Sequence, residues 1–385
     1  MIEITKDIKY VGVNDYKIDL FEGQYAVPDG MAYNSYLITD EKTAVMDSVE
    51  IGFADLWIEN IKAQLNGRAP DYLVVQHMEP DHSSSIVRFT EAFPGATIVS
   101  SAKAFKMMEG FFGIDFADRR IVVGEGDTLS LGRHTLSFIT APMVHWPEVI
   151  MTYDSEGGVL FSADAFGKFG ALDVDDEWAC EARRYYFGIV GKYGAQVQGV
   201  LKKAAALDIS TICPLHGPVL SENLGYYLNL YNTWSSYKPE SEGVCIAYAT
   251  IYGNTRRGAE MLAEELSSLG VKVSIMDLAR CDIHEAVEDA FRYDRLVLAA
   301  STYNGGVFTP MREFIAHLTE RNYQNRKVAF IENGSWAPMA TKTMKAMLEG
   351  SKNLNFAETE VRITSSVNDT TAASIKALAK ELSEM

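Results

Sequence analysis

The sequence predicts an α/β protein of two domains: a sheet sandwich flanked by helices over residues 1–240, then a doubly wound parallel sheet over residues 241–385. Three observations carry this expectation. In the second part, short apolar runs alternate with helical stretches. In the first part, hairpin-like strand runs dominate and helices are fewer. Between them lies a polar segment containing Pro and Gly, "SSYKPESEG" at residues 235–243, which has the composition of a connection rather than of an element.

Taken in chain order, "YNSYLITDEKTAVMDSV" from Tyr33 reads as two strands about a turn, and "ADLWIENIKAQL" from Ala54 as a helix. "RRIVVGEGDTLSLGRHTLSFITAP" from Arg119 reads as successive strands, and "GAQVQGVLKKAAAL" from Gly194 as a second helix. Strand-rich runs with interspersed helices suit a sandwich covered by helices. Beyond the polar segment come "VCIAYA" from Val244, "VKVSIM" from Val271, "RLVLAA" from Arg295, "KVAFIE" from Lys327 and "TEVRIT" from Thr359. Helical stretches such as "RRGAEMLAEELSSLG" and "MREFIAHLTERN" lie between them. Strands that alternate with helices imply a parallel sheet covered on both faces. Five such units in about 140 residues fit a flavodoxin-like domain.

At 385 residues the chain is long enough for two full cores, and its 47% apolar and 23% charged residues are ordinary for a globular protein. The formal net charge of -17 argues against nonspecific binding to nucleic acid or to an anionic membrane. It suits a basic partner or simply an acidic, solubilising surface. No stretch approaches the ~18 to 20 apolar residues of a membrane helix, and the N-terminal residues lack a signal peptide's apolar core. Cys180, Cys213, Cys245 and Cys281 are scattered, without a CxxC pair. This excludes a rubredoxin-like or zinc-ribbon module within the sequence and makes a reducing cytoplasm the expected location.

The chemistry concentrates first in "VVQHMEPDHSSS", residues 74–85. A strand pattern ends there, and His77, Glu79, Asp81 and His82 follow, with Pro80 restricting the backbone between the two acids. Alone, this could be a polar loop that satisfies its own turn. Three later positions repeat the pattern of a ligand-type residue just past an apolar run: His145 in "APMVHWPE", Asp164 in "VLFSADAFG" and His216 in "STICPLHGPV". The remaining histidines, His134, His284 and His317, have no ligand neighbours and read as solvated or structural. Seven ligands exceed one tetrahedral site but suit two metals, and the two oxygens of Asp164 could bridge them. Carboxylates with imidazoles and no thiolate favour a fairly hard ion such as iron or manganese, with dizinc left open.

A second constellation begins at "YATIYGNTRRGAEMLA". Thr250, Ile251, Tyr252, Gly253, Asn254 and Thr255 form a loop of small and hydroxyl residues opening onto a helix N-terminus, a ready phosphate site. The loop resembles that of flavodoxins, departing at Tyr252, where those proteins commonly carry Ser or Thr. Ser301, Thr302, Tyr303, Asn304, Gly305 and Gly306 follow the third strand run, and Asn333, Gly334, Ser335 and Trp336 follow the fourth. The glycines would let backbone approach a ring, and Trp336 is a candidate to cover an isoalloxazine. Loops at the carboxyl ends of strands one, three and four converge where such folds bind ligands. Domain size and phosphate loop suggest FMN, and no G-x-G-x-x-G fingerprint points to FAD or NAD.

The order His-x-Glu-x-Asp-His, then His, Asp and His, resembles the metallo-β-lactamase superfamily, with its αββα sandwich. Glu79, where hydrolytic members usually carry histidine, resembles the flavodiiron proteins, and the flavodoxin-like second half extends that resemblance over essentially the whole chain. The resemblance implies that His77, Glu79 and His145 bind one iron, Asp81 and His216 the other, with Asp164 bridging and His82 a ligand in some members only. It implies FMN as the second cofactor, and reduction of O2 to water, of NO to N2O, or both. It also implies an external electron donor such as rubredoxin or reduced F420, in the two-domain form of the family, and a head-to-tail homodimer or dimer of dimers. Tyr193, in "GKYGAQV", is a weaker carry-over: an O–H donor near the gas-binding face, or equally a core tyrosine. Two competing classes are a dizinc hydrolase with an attached flavodoxin domain and an electron carrier with a degenerate metal site. Glu79 speaks against the first and the complete ligand set against the second.

Overall fold

The computed structural model describes residues 3–384. The chain divides into two compact units, the first ending at Asn232 and the second beginning at Thr233.

The first unit is built on two sheets. One has six strands in the order Ile8–Tyr10, Tyr36–Thr39, Thr43–Met46, Tyr72–Val74, Thr97–Ser100 and Arg120–Val122. The other has five, Thr128–Ser130, Thr135–Thr140, Ile150–Asp154, Val159–Phe161 and Thr211–Cys213. One core joins them: Tyr36, Met46, Val74 and Val99 from the first sheet lie in the same buried cluster as Phe138, Ile150, Phe161 and Cys213 from the second. The stretch after Arg119 therefore does not form one meander. Arg120–Val122 pairs in parallel with Thr97–Ser100, and the chain crosses to the other sheet before Thr128. The helix Ala54–Leu65 forms because Trp57, Ile58, Ile61 and Leu65 recur on one face and bury there, and it stops at Asn66 in the left-handed region (φ 48°).

The second unit carries a sheet in the order Val273–Asp277, Ser241–Ala249, Tyr293–Tyr303, Arg326–Asn333, Leu354–Phe356. That is order 2-1-3-4-5 of a doubly wound fold, and its pairings along this path are parallel. Val361–Ile363 also pairs in parallel with Arg326–Asn333. The run from Val244 to Ala249 is buried without alternation, as expected of a strand covered on both faces. Among the described residues, no helix is long and apolar enough to cross a membrane.

Candidate functional site

Every proposed metal ligand stands just beyond the carboxyl end of a strand. His77 and Glu79 follow Tyr72–Val74, and Asp81 and His82 lie in the one-turn helix Pro80–Ser83. His145 follows Thr135–Thr140, Asp164 follows Val159–Phe161, and His216 follows Thr211–Cys213. Both sheets of the sandwich thus deliver ligands to one place.

The structure gathers these side chains into two groups, His77, Glu79, His145 and Asp164 in one, and Asp81, His82 and His216 in the other. In the first, His77 Nε2 lies 3.2 Å from His145 Nε2, and Glu79 Oε2 lies 3.0 Å from His145 Nε2. Asp164 Oδ2 is 3.2 Å from His77 Nε2 and 3.0 Å from His145 Nε2. In the second, His82 Nε2 lies 2.9 Å from His216 Nε2, while Asp81 Oδ2 is 3.3 Å from His82 and 3.2 Å from His216. Asp164 Oδ1 turns to this group, 3.4 Å from His82 Nε2 and 3.8 Å from His216 Nε2. One aspartate therefore addresses both groups, one oxygen to each. His82, which the resemblance leaves variable, points its Nε2 into the second group.

The outer nitrogens show what the inner ones present. His216 Nδ1 lies 2.7 Å from the carbonyl of Ala32. A carbonyl only accepts, so Nδ1 carries the hydrogen and Nε2 keeps its lone pair. His77 Nδ1 faces Glu148 Oε1 at 2.8 Å, with the same consequence. Both oxygens of Asp81 and of Asp164 are buried and lack a hydrogen-bond partner among the described residues. Convergent imidazole lone pairs and unpartnered carboxylate oxygens repel one another at these distances, and two divalent ions would satisfy them. Within the protein alone, burial disfavours the charged forms, yet the acids outweigh it for the histidines. Asp164, Glu148 and Glu79 hold the His77 imidazole well above its ordinary pKa, and Asp164 and Glu79 raise His145 to about 9. Conversely, the histidines hold Asp164 well below the usual carboxylate range against burial.

Several supports of the site escaped the sequence reading. Glu148 Oε1 accepts both His77 Nδ1–H and the Met78 N–H, the latter at 2.9 Å. Asp47, at φ 54°, accepts the Gln76 backbone N–H at 2.6 Å and the Gln76 side-chain amide at 2.8 Å. Ser48 Oγ donates to the His82 carbonyl at 2.6 Å. The ligand loop is thus pinned at both ends by two consecutive residues. Tyr185 and Tyr33, rather than Tyr193, are tyrosines packed on a ligand, and of the two Tyr185 is the nearer to His216. Its ring centroid lies 5.5 Å from that of His216, and its buried hydroxyl has no partner among the described residues. Burial first, then Asp164, Glu79 and Asp81, push its pKa well above 10. Tyr193 is half-buried and directly precedes the helix Gly194–Ala204.

In the second unit a cavity of about 380 Å³ opens at the carboxyl ends of Ser241–Ala249, Tyr293–Tyr303 and Arg326–Asn333. Its lining includes Thr250, Ile251, Tyr252, Asn254, Thr255, Ser301, Thr302, Asn304, Gly305, Asn333, Gly334, Ser335 and Trp336. Gly253, Tyr303 and Gly306 stand beside the cavity without lining it. Gly253, at φ 90°, precedes the helix Asn254–Ser268, and Tyr303 pairs with Gly306 across a tight hairpin. Ala337 and Ser365 also line the cavity and were not foreseen. Ser365 Oγ lies 2.8 Å from Ser335 Oγ, which brings a fourth loop to the cavity. No side chain caps the helix Asn254–Ser268, so its first N–H groups are available to a phosphate. Trp336 is 82% exposed, a large aromatic face at the rim. The residues fit a flavin mononucleotide.

Comparison with known proteins agrees with this division. A family described as ODP family beta lactamase matches residues 31–217, and a flavodoxin domain matches residues 245–362. An uncharacterized protein of Methanocaldococcus jannaschii is 31% identical, over 92% of this chain and 90% of its own length. An anaerobic nitric oxide reductase flavorubredoxin of Pectobacterium atrosepticum is 29% identical, over 87% of this chain and 68% of its own. The chain spans about half the length of the cyanobacterial diflavin flavoproteins that it also matches. Among solved structures, rubredoxin oxygen:oxidoreductase from Desulfovibrio gigas superposes with a TM-score of 0.92 at 25% identity, covering 100% of this chain and 98% of that one.

Proposed function

This chain belongs to the flavodiiron proteins, an oxidoreductase family whose cofactors are FMN and a non-haem diiron site, and from that premise we propose that it reduces O2 to water, NO to N2O, or both. The observation that carries the reading is Asp164, whose two oxygens address the two buried ligand groups separately. On this reading His77, Glu79 and His145 hold one iron, and Asp81, His82 and His216 the other. Thr250 to Thr255, the loop from Ser301 to Gly306, and Asn333 to Trp336 hold FMN. When bound, the irons supply a reducible site for a diatomic gas and the flavin a relay that accepts electron pairs and releases single electrons. The electrons come from an external donor such as a rubredoxin or reduced F420.

The chain's own residues supply orientation and protons. Glu148 fixes the tautomer and ring plane of His77, and Ala32 those of His216. Phe21 packs against His216 at 5.4 Å and Tyr185 at 5.5 Å, which keeps water from that side of the imidazole. Tyr185 keeps its proton at neutral pH, because a phenolate there would be buried among three carboxylates. Its hydroxyl is our choice of hydrogen-bond donor to the substrate, in place of Tyr193.

Asp164→Ala tests the assignment. Iron content should fall from two per chain, and turnover with O2 and NO should drop by at least about a thousandfold, while FMN stays bound. Retained activity in an iron-depleted variant overturns the diiron reading. Stopped-flow reoxidation of the reduced protein by O2 and by NO, side by side, decides the substrate.

A further inference from the structure

A second groove, of about 460 Å³, adjoins the flavin phosphate loop: Thr250, Ile251, Tyr252 and Gly253 form one wall, and the charged residues of its other wall have no part in the reading above. It sits outside the carboxyl ends of Ser241–Ala249 and Val273–Asp277, the first and second strands of the unit, whereas the flavin cavity spans the first, third and fourth. A chain with a net charge of -17 here places three arginines, Arg256, Arg257 and Arg280, against two carboxylates, Glu260 and Asp277. Asp277 is the last residue of its strand. Its Oδ2 receives Arg280 at 3.1 Å, and Arg256 Nε lies 3.1 Å from Glu260. The arginine side chains remain 56% to 72% exposed, so each keeps N–H donors for a further anion. Tyr252, 93% exposed, stands in the loop between the two cavities. Gly253 lines this groove, and a Cβ there would meet nothing within 4 Å.

We infer that this groove is a second nucleotide subsite, which takes the phosphorylated ribose and base of an adenine nucleotide. The chemistry of each wall supports that class. In dinucleotide-binding sheets with a Gly-rich first turn, an acid at the end of the second strand accepts a ribose hydroxyl and a neighbouring arginine accommodates a phosphate on that sugar. Asp277 and Arg280 occupy the corresponding place here without that turn, and Asp277 already accepts the Ala279 N–H and Arg280, at 3.1 Å each. Arg256 and Arg257, early in the helix Asn254–Ser268, bring their guanidinium groups to this groove, where they can pair with an anion. The Tyr252 ring offers a face for a base. The volume exceeds what a bare phosphate needs and lies in the range of small-ligand sites. The inference rests on the flavin reading only for the loop that the two cavities share.

The test is isothermal titration of the full-length chain, both flavin-stripped and FMN-saturated, with 2′,5′-ADP, 5′-AMP and inorganic phosphate, with FMN affinity measured separately on flavin-stripped protein. We expect one nucleotide per chain, 2′,5′-ADP binding tighter than 5′-AMP, and both tighter than phosphate. The double variant R256A/R280A should weaken 2′,5′-ADP at least tenfold while FMN affinity stays within twofold. Three results overturn the subsite: no nucleotide binding, phosphate binding as tightly as the nucleotides, or nucleotide binding that disappears on saturation with FMN. The last would make the groove an extension of the flavin's own phosphate site. Loss of FMN affinity in wild-type protein would instead count against the flavin assignment.

Discussion

Glu148 shows how much of the metal centre lies outside its ligands. One carboxylate oxygen accepts from His77 Nδ1 and from the Met78 backbone, so it sets both the imidazole's tautomer and the backbone next to it. Replacement by glutamine keeps an acceptor in place but removes the negative charge that strengthens the imidazole as a ligand. Replacement by alanine leaves two buried donors unmatched. Glu148→Gln should therefore weaken Fe(II) binding about tenfold, and Glu148→Ala about a hundredfold, with a further loss of about 1 to 3 kcal/mol in stability for alanine. Chelator competition and thermal melts separate the two effects. Equal losses in both variants would mean that the charge, not the hydrogen bond, is what matters. Asp47 acts at the other side of the same loop. Burial pushes its carboxyl up to about 6 although the Gln76 donors pull it down, and its φ of 54° is unusual for a non-glycine residue. Met143, Ala163 and Phe166 share that left-handed geometry. All three flank His145 or Asp164, so backbone strain collects where ligands must be aimed.

At the level of elements, Glu381 ties the last helix of the second unit to the turn before Val361–Ile363. Its carboxylate accepts the N–H groups of Glu358 and Thr359 at 2.9 Å each and pairs with Lys327 at 3.0 Å. Burial raises its pKa, but the donors from Thr359, Glu358 and Lys327 outweigh that and lower it to about 2. A carboxyl depressed on folding contributes stability that is present above its unfolded pKa, about 4.3, and is lost as pH falls toward 2. Glu381→Gln should thus cost about 1 kcal/mol at pH 7 and close to nothing at pH 2, read from denaturant melts of this unit at both pH values. A pH-independent cost would assign the effect to packing. The three central strands of this unit, Ser241–Ala249, Tyr293–Tyr303 and Arg326–Asn333, were legible in the sequence because their runs are buried and apolar and helices separate them, whereas Val273–Asp277 and Leu354–Phe356 are only partly buried. The first unit was less legible for a physical reason. The apolar runs after Arg119 look alike, but nothing in their alternation says that Arg120–Val122 closes the first sheet while Thr128–Ser130 opens the second. The metal ligands could be read because histidine and carboxylate stand out just past strand ends. Glu148, Asp47 and Tyr185 could not, since an acid after Pro, an acid ending a strand and a tyrosine in a helix are unremarkable until the fold brings them to the ligands.

For the molecule as a whole, two cores imply two separable stabilities. The buried cluster built on Tyr36, Phe138 and Phe161 belongs to the metal-binding unit, and the one built on Ile246, Val297 and Ile331 to the flavin-binding unit. A ligand stabilises what it binds by mass action. Calorimetry of stripped protein should therefore show one transition that rises with Fe(II) and another that rises with FMN. The head-to-tail dimer that the resemblance implies adds a sharper expectation, because in such a dimer one chain's flavin would serve the partner chain's metal site. An Asp164→Ala chain lacks the metal site but keeps its flavin. A chain with Gly253→Val, which forces a β-branched residue to φ 90°, keeps its metal site but should lose FMN. Each homodimer should be inactive. Co-expressed and purified as a heterodimer through two different tags, the pair should regain activity, since one of its two composite sites combines an intact metal group with an intact flavin loop. If the relay instead ran within each chain, no arrangement of these two variants could restore turnover. Recovered O2 or NO reduction in the mixed dimer, against none in either parent, is the measurement that separates the two routes.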